Sequence, residues 1–190
     1  MKLKRIFFEQ KTLKVAKELL GCFLIHQVGD LKIIARIIET EAYVGPKDKA
    51  NHASKGITKR TEVMFGSAGH AYIYLIYGMY YCFNIVTESK GYPAAVLIRG
   101  IEIAGQKFIG PGKVCRELKI DKSLNNEDIV KSKKLWLEKG HKSTKIKKLP
   151  RVGIDYASEY KDKLWRFLLE NCPETPAKAY KTPFFVSPTQ

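Results

Sequence analysis

Glu39 and Glu41 stand two residues apart where an apolar run ends, in the stretch IIETEAYVGPKDKANHASKG from Ile37 to Gly56. Tyr43 follows, then a Gly-Pro turn, a cluster of charges and His52. Carboxylates seldom sit among apolar residues without a partner. One of them could activate water or bind a cation. Equally, the pair could mark an exposed strand end, or be held structurally by a lysine or a backbone donor. His52 lies in a loop with Lys47, Lys49, Lys55, Lys59 and Arg60, which suits contact with a phosphate or a base. Five of the ten tyrosines fall between Tyr72 and Tyr81. Most read as packing in an aromatic sheet. Tyr77, beside Gly78, falls at an expected turn where it cannot be fully buried. An exposed ring there suits stacking on nucleobases or wedging between them. Asn84 and Arg99 each interrupt an apolar strand, and position alone favours a hydrogen-bonded structural role for both.

The elements that must hold these residues follow from periodicity. TLKVAKELLG (12–21) has helical spacing and a glycine stop. CFLIHQV, Gly29-Asp30 and LKIIARII read as a β-hairpin whose second strand runs into the glutamates. Side chains alternate along a strand, so Glu39, Glu41 and Tyr43 share a face if that strand persists. HAYIYLIYGMYYCFNIVTES reads as a second hairpin with Tyr77-Gly78-Met79 near its tip, and Tyr72 and Tyr74 on one face. AAVLIRGIEI is a further strand, and GPGKVCRELKI a short helix. KSLNNEDIVKS is expected to form another helix. Residues 131–151 hold nine Lys or Arg and one acidic residue, and read as a solvated helix or loop. RVGIDYA and LWRFLLE are expected as late strands, ahead of a Pro-rich tail. The expected class is α+β: a single domain over 1–190, with a curved, partly barrel-like antiparallel sheet, β-hairpins and peripheral helices. Residues 171–190 are expected to pack loosely.

Composition narrows the function classes. With 34 Lys and Arg against 19 Asp and Glu, the 190-residue chain carries a net charge of +15. Such a surface attracts polyanions, nucleic acid foremost. Cys22, Cys82, Cys115 and Cys172 form no C-x-x-C pair and have no histidine at ligand spacing, which argues against zinc and for reduced thiols. The start, MKLKRIFF, is basic, but its apolar stretch is too short for a secretory segment. The apolar run from Ala71 to Val86 falls short of the ~20 residues a membrane span needs. The expectation is a cytoplasmic monomer with no membrane association.

The ordered set ETEAY, a following His, MFG, YIYLIYGMYYCFN, VLIRGIE, GPGKVC and RVGIDYA resembles the alkyladenine (3-methyladenine) DNA glycosylases, in their compact bacterial form. The resemblance covers about residues 5 to 170 and implies a reaction. Such an enzyme binds double-stranded DNA containing damaged purines and rotates the damaged nucleotide out of the duplex. It then hydrolyses the N-glycosidic bond, leaving a free base and an abasic site, without metal, cofactor or Schiff base. By the same resemblance Glu41 is the general base for water. Arg99 lies near the active site as catalytic support or a DNA contact, and Glu39 is a second acidic position with a structural role. Tyr43, His52 and Tyr74 sandwich the flipped base, and Asn84 excludes guanine through its exocyclic amine. Tyr77 is the wedge, and Met64 lines the DNA-binding surface. Stacked aromatic rings favour the positive charge of N3- or N7-alkylated purines. Lys59 departs from the pattern, standing where many relatives have proline.

Two other classes compete. A non-catalytic nucleic-acid binder could use the same tyrosines and lysines; it would bind without releasing a base. A carbohydrate glycosidase could use Glu39 and Glu41 as its two carboxylates, but neighbours on one strand rarely flank a bond, and a neutral glycan gains nothing from a +15 field.

Overall fold

The computed structural model describes residues 1–140 and 145–170. Cys172 and the tail expected to pack loosely lie outside them. Near the start come α1 (Arg5–Phe8) and α2 (Thr12–Glu18). Val15, Ala16 and Leu19, at helical spacing, are fully buried. Glu88, from a distant turn, caps α2: its Oε1 accepts from the Thr12 amide at 3.0 Å and from the Thr12 hydroxyl at 2.7 Å. That pairing satisfies a free N–H at the helix start.

The strands are β1 (Phe23–Val28), β2 (Leu31–Val44), β3 (Ala71–Ile76), β4 (Tyr80–Val86), β5 (Ala94–Ile103) and β6 (Gln106–Ile109). After α3 (Pro111–Glu117) come β7 (Leu135–Glu138), β8 (Ile146–Leu149) and β9 (Arg166–Leu169). All pair antiparallel. The main order is β3-β4-β5-β2-β1-β7, with β6 on β5 and a β8-β9 branch on β2. The sheet curls into a half-barrel, giving the α+β domain expected. The core lies between the sheet and helices α2 and α3, around Ile37, Phe83, Ile85, Ile98 and Leu118. Each such side chain contributes about 1.5–3 kcal/mol when fully buried.

β2 is the keystone. Its first half pairs with β1 and its second with β5, while Glu39–Glu41 also pair with β9. The Thr40 hydroxyl donates to the Ala16 carbonyl at 2.8 Å, tying β2 to α2. The β2–β5 register shifts twice, between Ile37 and Glu39 and again between Glu39 and Thr40. Ile38 on β2 and Arg99 on β5 are consequently left without a partner across the ladder. Such bulges bend strands and re-aim side chains.

Three expected elements differ. KSLNNEDIVKS is not a helix beyond a 3₁₀ turn at Lys122–Leu124. Asn126 takes a positive φ of 67°, and the Asn125 side chain accepts from the Ile73 amide. Those contacts draw the chain along the sheet edge instead. The lysine-rich 131–151 segment supplies β7 and β8 rather than a helix or plain loop, because Leu135 and Leu137 alternate inward against β1. RVGIDYA is a bend leading into a 3₁₀ segment, Asp155–Tyr160, with Gly153 at φ +74°.

Candidate active site

A row of side chains crosses four strands at one level. Tyr72 on β3 faces Asn84 on β4, Asn84 faces Leu97 on β5, and Leu97 faces Glu41 on β2. Directly opposed residues share a face of the sheet, and here that row lines a cavity of about 310 Å³. The volume is at the lower end for small-molecule sites.

Glu41 is fully buried on the cavity floor. Its Oε1 accepts from the Val152 amide at 3.0 Å, and its Oε2 accepts from the Tyr43 hydroxyl at 2.9 Å. Arg99 Nε stands 3.2 Å from Glu39 Oε1 and 3.5 Å from Glu41 Oε1. It has hydrogen-bond geometry to neither. Arg166 donates to the same Glu39 oxygen at 3.0 Å. Glu39 therefore takes most of the local positive charge and Glu41 only a share. Burial pushes the Glu41 carboxyl above its ordinary range. Arg99, the Val152 amide and the Tyr43 hydroxyl pull it down, and the Glu39 charge pushes it up. A carboxylate so placed suits taking a proton from water.

The walls are aromatic. His52 meets Tyr74 edge-on at 4.6 Å between centroids, and its Nδ1 lies 3.2 Å from the Tyr72 hydroxyl. Burial, then the charge of Arg60, lowers the His52 pKa to about 4, so the ring is neutral at physiological pH. Tyr43 stacks on the Arg151 guanidinium at 4.8 Å. Arg151 is itself gripped by Asp48 through two bonds of 2.6 and 2.8 Å, both side chains being fully buried. Asn84 Nδ2 donates to the Tyr72 carbonyl at 3.1 Å, which fixes the amide against the cavity. Met64, expected on the DNA-binding surface, is instead buried beneath the same aromatic cluster, 2% exposed, because it packs against Tyr72 and Val63. Cys82 also faces the cavity. Burial pushes its thiol up to about 11, so it is protonated and unreactive near neutrality.

At the mouth stands the β3–β4 tip. Tyr77 is 88% exposed, with φ +51°, next to Gly78 at φ +69°. Positive φ at both central residues is what a tight hairpin requires, but a bulky residue in that region is strained. Strain of this kind concentrates at functional positions. Tyr77 and the other seven expected site residues, Glu41, Tyr43, His52, Met64, Tyr74, Asn84 and Arg99, all line this one cavity.

A family model described as methylpurine-DNA glycosylase matches residues 6–173. The chain belongs to that family. As a DNA glycosylase it is a hydrolase acting on N-glycosyl bonds. A Methanocella arvoryzae protein named "Putative 3-methyladenine DNA glycosylase" is 48% identical, covering 90% of this chain and 94% of its own length. Identically named proteins of Legionella pneumophila strain Lens and Desulfitobacterium hafniense are 48% and 46% identical, each match covering 90% of this chain and 96% of the relative.

Several groups around the cavity were not singled out from the sequence. The Val152 amide is a backbone donor and has no sequence signature. Arg151 and Arg166 lay inside segments read by their charge or strand pattern alone. Among the described residues no group of three His, Cys, Asp or Glu could hold a metal, and no helix is long and apolar enough to cross a membrane.

Proposed function

We propose that the protein excises alkylated and deaminated purines, 3-methyladenine among them, from double-stranded DNA in base-excision repair. The damaged nucleotide leaves the stack and enters the aromatic cavity, while the Tyr77 ring fills the gap. Flipping costs a few kcal/mol, least for damaged or mispaired bases, so extrusion itself selects. Tyr43, His52 and Tyr74 surround the base. Asn84 excludes guanine through a clash with its exocyclic amine. Met64 supports the walls from below.

Glu41 accepts a proton as water attacks C1′ of the deoxyribose. The new bond is C1′–O. The C1′–N bond breaks and its electron pair leaves with the base. The products are a free base and an abasic site. Ionised Glu41 also stabilises the positive charge that develops on the sugar, and Arg99 orients the carboxylate. The observation that carries this reading is the buried Glu41 carboxylate, at the floor of an aromatic cavity whose mouth holds an exposed, strained tyrosine.

The test uses duplexes carrying one hypoxanthine or one ethenoadenine, and 3-methyladenine-containing DNA, with alkali to cleave abasic sites. Strand breaks at the lesion are expected. Glu41→Gln should lose about 10²–10⁴-fold in rate and still bind lesion DNA. Excision from none of the three, or wild-type turnover by Glu41→Gln, overturns the assignment.

A further inference from the structure

One guanidinium lines the cavity and two others lie against its aromatic walls, and the three differ in how their charge is neutralised. Arg99 shares Glu39 and Glu41. Arg151, stacked on Tyr43, is held by Asp48. Arg60 lies over the Tyr74 ring, 5.0 Å from its centroid, and no carboxylate stands within ion-pair distance of it among the described residues. We propose that Arg60 sets the charge preference of the lesion pocket, disfavouring cationic purines relative to neutral ones, an inference that rests on the glycosylase reading.

The physical reason has two parts. The negative face of Tyr74 is already engaged by one cation, so the ring has less to offer a second. The uncompensated charge of Arg60 also repels an N-alkylated purinium stacked nearby. That charge stands against the cavity wall through its contact with Tyr74. Behind burial, Arg60 is the second influence holding His52 in its neutral form. It also favours the ionised forms of Tyr72, Tyr74 and Cys82. All four line the cavity, while Arg60 itself is exposed and outside the lining. A neutral lesion such as hypoxanthine escapes this repulsion. A 7-methylguanine cation meets it in full. Cation–ring attraction at Tyr43 and Tyr74 is thus partly spent on the protein's own arginines, which tempers the preference for charged bases that the aromatic walls alone imply.

The experiment compares single-turnover excision of 7-methylguanine and of hypoxanthine from otherwise identical duplexes at saturating protein. Wild type, Arg60→Gln and Arg60→Lys are measured side by side. The 7-methylguanine to hypoxanthine rate ratio should rise about two- to fivefold in Arg60→Gln, the span of an exposed charge–ring contact. Arg60→Lys keeps the charge and should hold the wild-type ratio. Both rates falling in parallel in Arg60→Gln would make Arg60 a phosphate contact or a scaffold residue and overturn the proposal. So would an equal rise in the Lys variant. Absence of excision of both bases by the wild type would instead defeat the glycosylase reading, and this inference with it.

Discussion

Arg151 and Asp48 test whether the site rests on a buried ion pair. Both side chains are fully buried. Asp48 accepts from Arg151 twice, from the Val44 amide at 3.0 Å and from the Ala50 amide at 3.1 Å. Arg151 also donates to the Ala42 carbonyl at 2.9 Å and lies between Tyr43 and Trp165. Arg151→Met keeps length and apolar contact but strands the carboxylate. Asp48→Asn strands the guanidinium. Breaking a buried pair from one side costs about 3–5 kcal/mol. In a chain of this size about 1 kcal/mol moves the midpoint by about 2–4 °C. Each single variant should therefore lose about 6–20 °C in a calorimetric scan. The double variant should recover part of the loss, with a coupling of about 0.5–3 kcal/mol, because neither charge is then left alone. Excision by the folded fraction should fall as well, since Val152, next in sequence, donates to Glu41. Single variants within about 1 kcal/mol of wild type, or strictly additive losses, would refute the reasoning.

The raised Glu41 pKa sets two expectations. Excision should fall as pH drops through a value above the ordinary glutamate range, read from single-turnover rates, because Glu41 as the proposed base must be ionised. The folded state holds that proton more tightly than the unfolded chain. Glu41 therefore contributes stability that is full below its unfolded pKa and lost as pH rises through the folded one. Glu41→Gln should accordingly unfold at a higher temperature than wild type at neutral pH, and a lower midpoint would count against the burial argument. Tyr77→Gly removes a strained positive φ and a ring together. Lesion capture should weaken by about 1–3 kcal/mol in a binding titration, with no loss in unfolding temperature. Gly100→Ala would place its Cβ 2.8 Å from Glu39 Cβ and 3.1 Å from Ile109 Cδ1. A loss of about 1–3 kcal/mol by urea unfolding is expected, along with slower excision as Glu39 and Arg99 shift.

Where the sequence carries strong local signals, the elements are legible. The apolar period of α2 and the Gly29-Asp30 and Tyr77-Gly78 turns mark a helix and two hairpins. β7 is different. Its alternation spans four residues, Leu135–Glu138, inside a lysine-rich stretch, and only pairing with β1 makes it a strand. RVGIDYA carries a strand-like composition, but Gly153 turns the chain so that the Val152 amide points at Glu41. A carboxylate pair, an exposed tyrosine and a loop histidine are conspicuous among apolar runs, whereas Tyr43, Met64, Tyr74, Asn84 and Arg99 are tied to a site only by the family resemblance. The bulges that leave Ile38 and Arg99 unpaired are not conspicuous, since either residue would fit a regular strand. Sequence position favoured a structural hydrogen bond for Arg99. Its Nε instead has no hydrogen-bond partner and stands between two carboxylates.

Those bulges bear on why two carboxylates stand together where the proposed reaction uses one. A glutamate buried alone at the floor would be neutral and no base. A glutamate paired closely with Arg99 would be ionised but weakly basic, and its oxygens would be occupied. Glu39 resolves the conflict by drawing Arg99 to 3.2 Å and taking Arg166 at 3.0 Å. Glu41 is left with a longer contact and two neutral donors, one on each oxygen. One lone pair on each oxygen remains free for water. The Glu39 charge itself adds to the basicity of its neighbour. Arg99 reaches both carboxylates from a position left unpaired between the two register shifts. The irregular ladder and the poise of Glu41 are therefore one feature: straightening β5 at Arg99 would remove the counter-charge that keeps a buried acid ionisable.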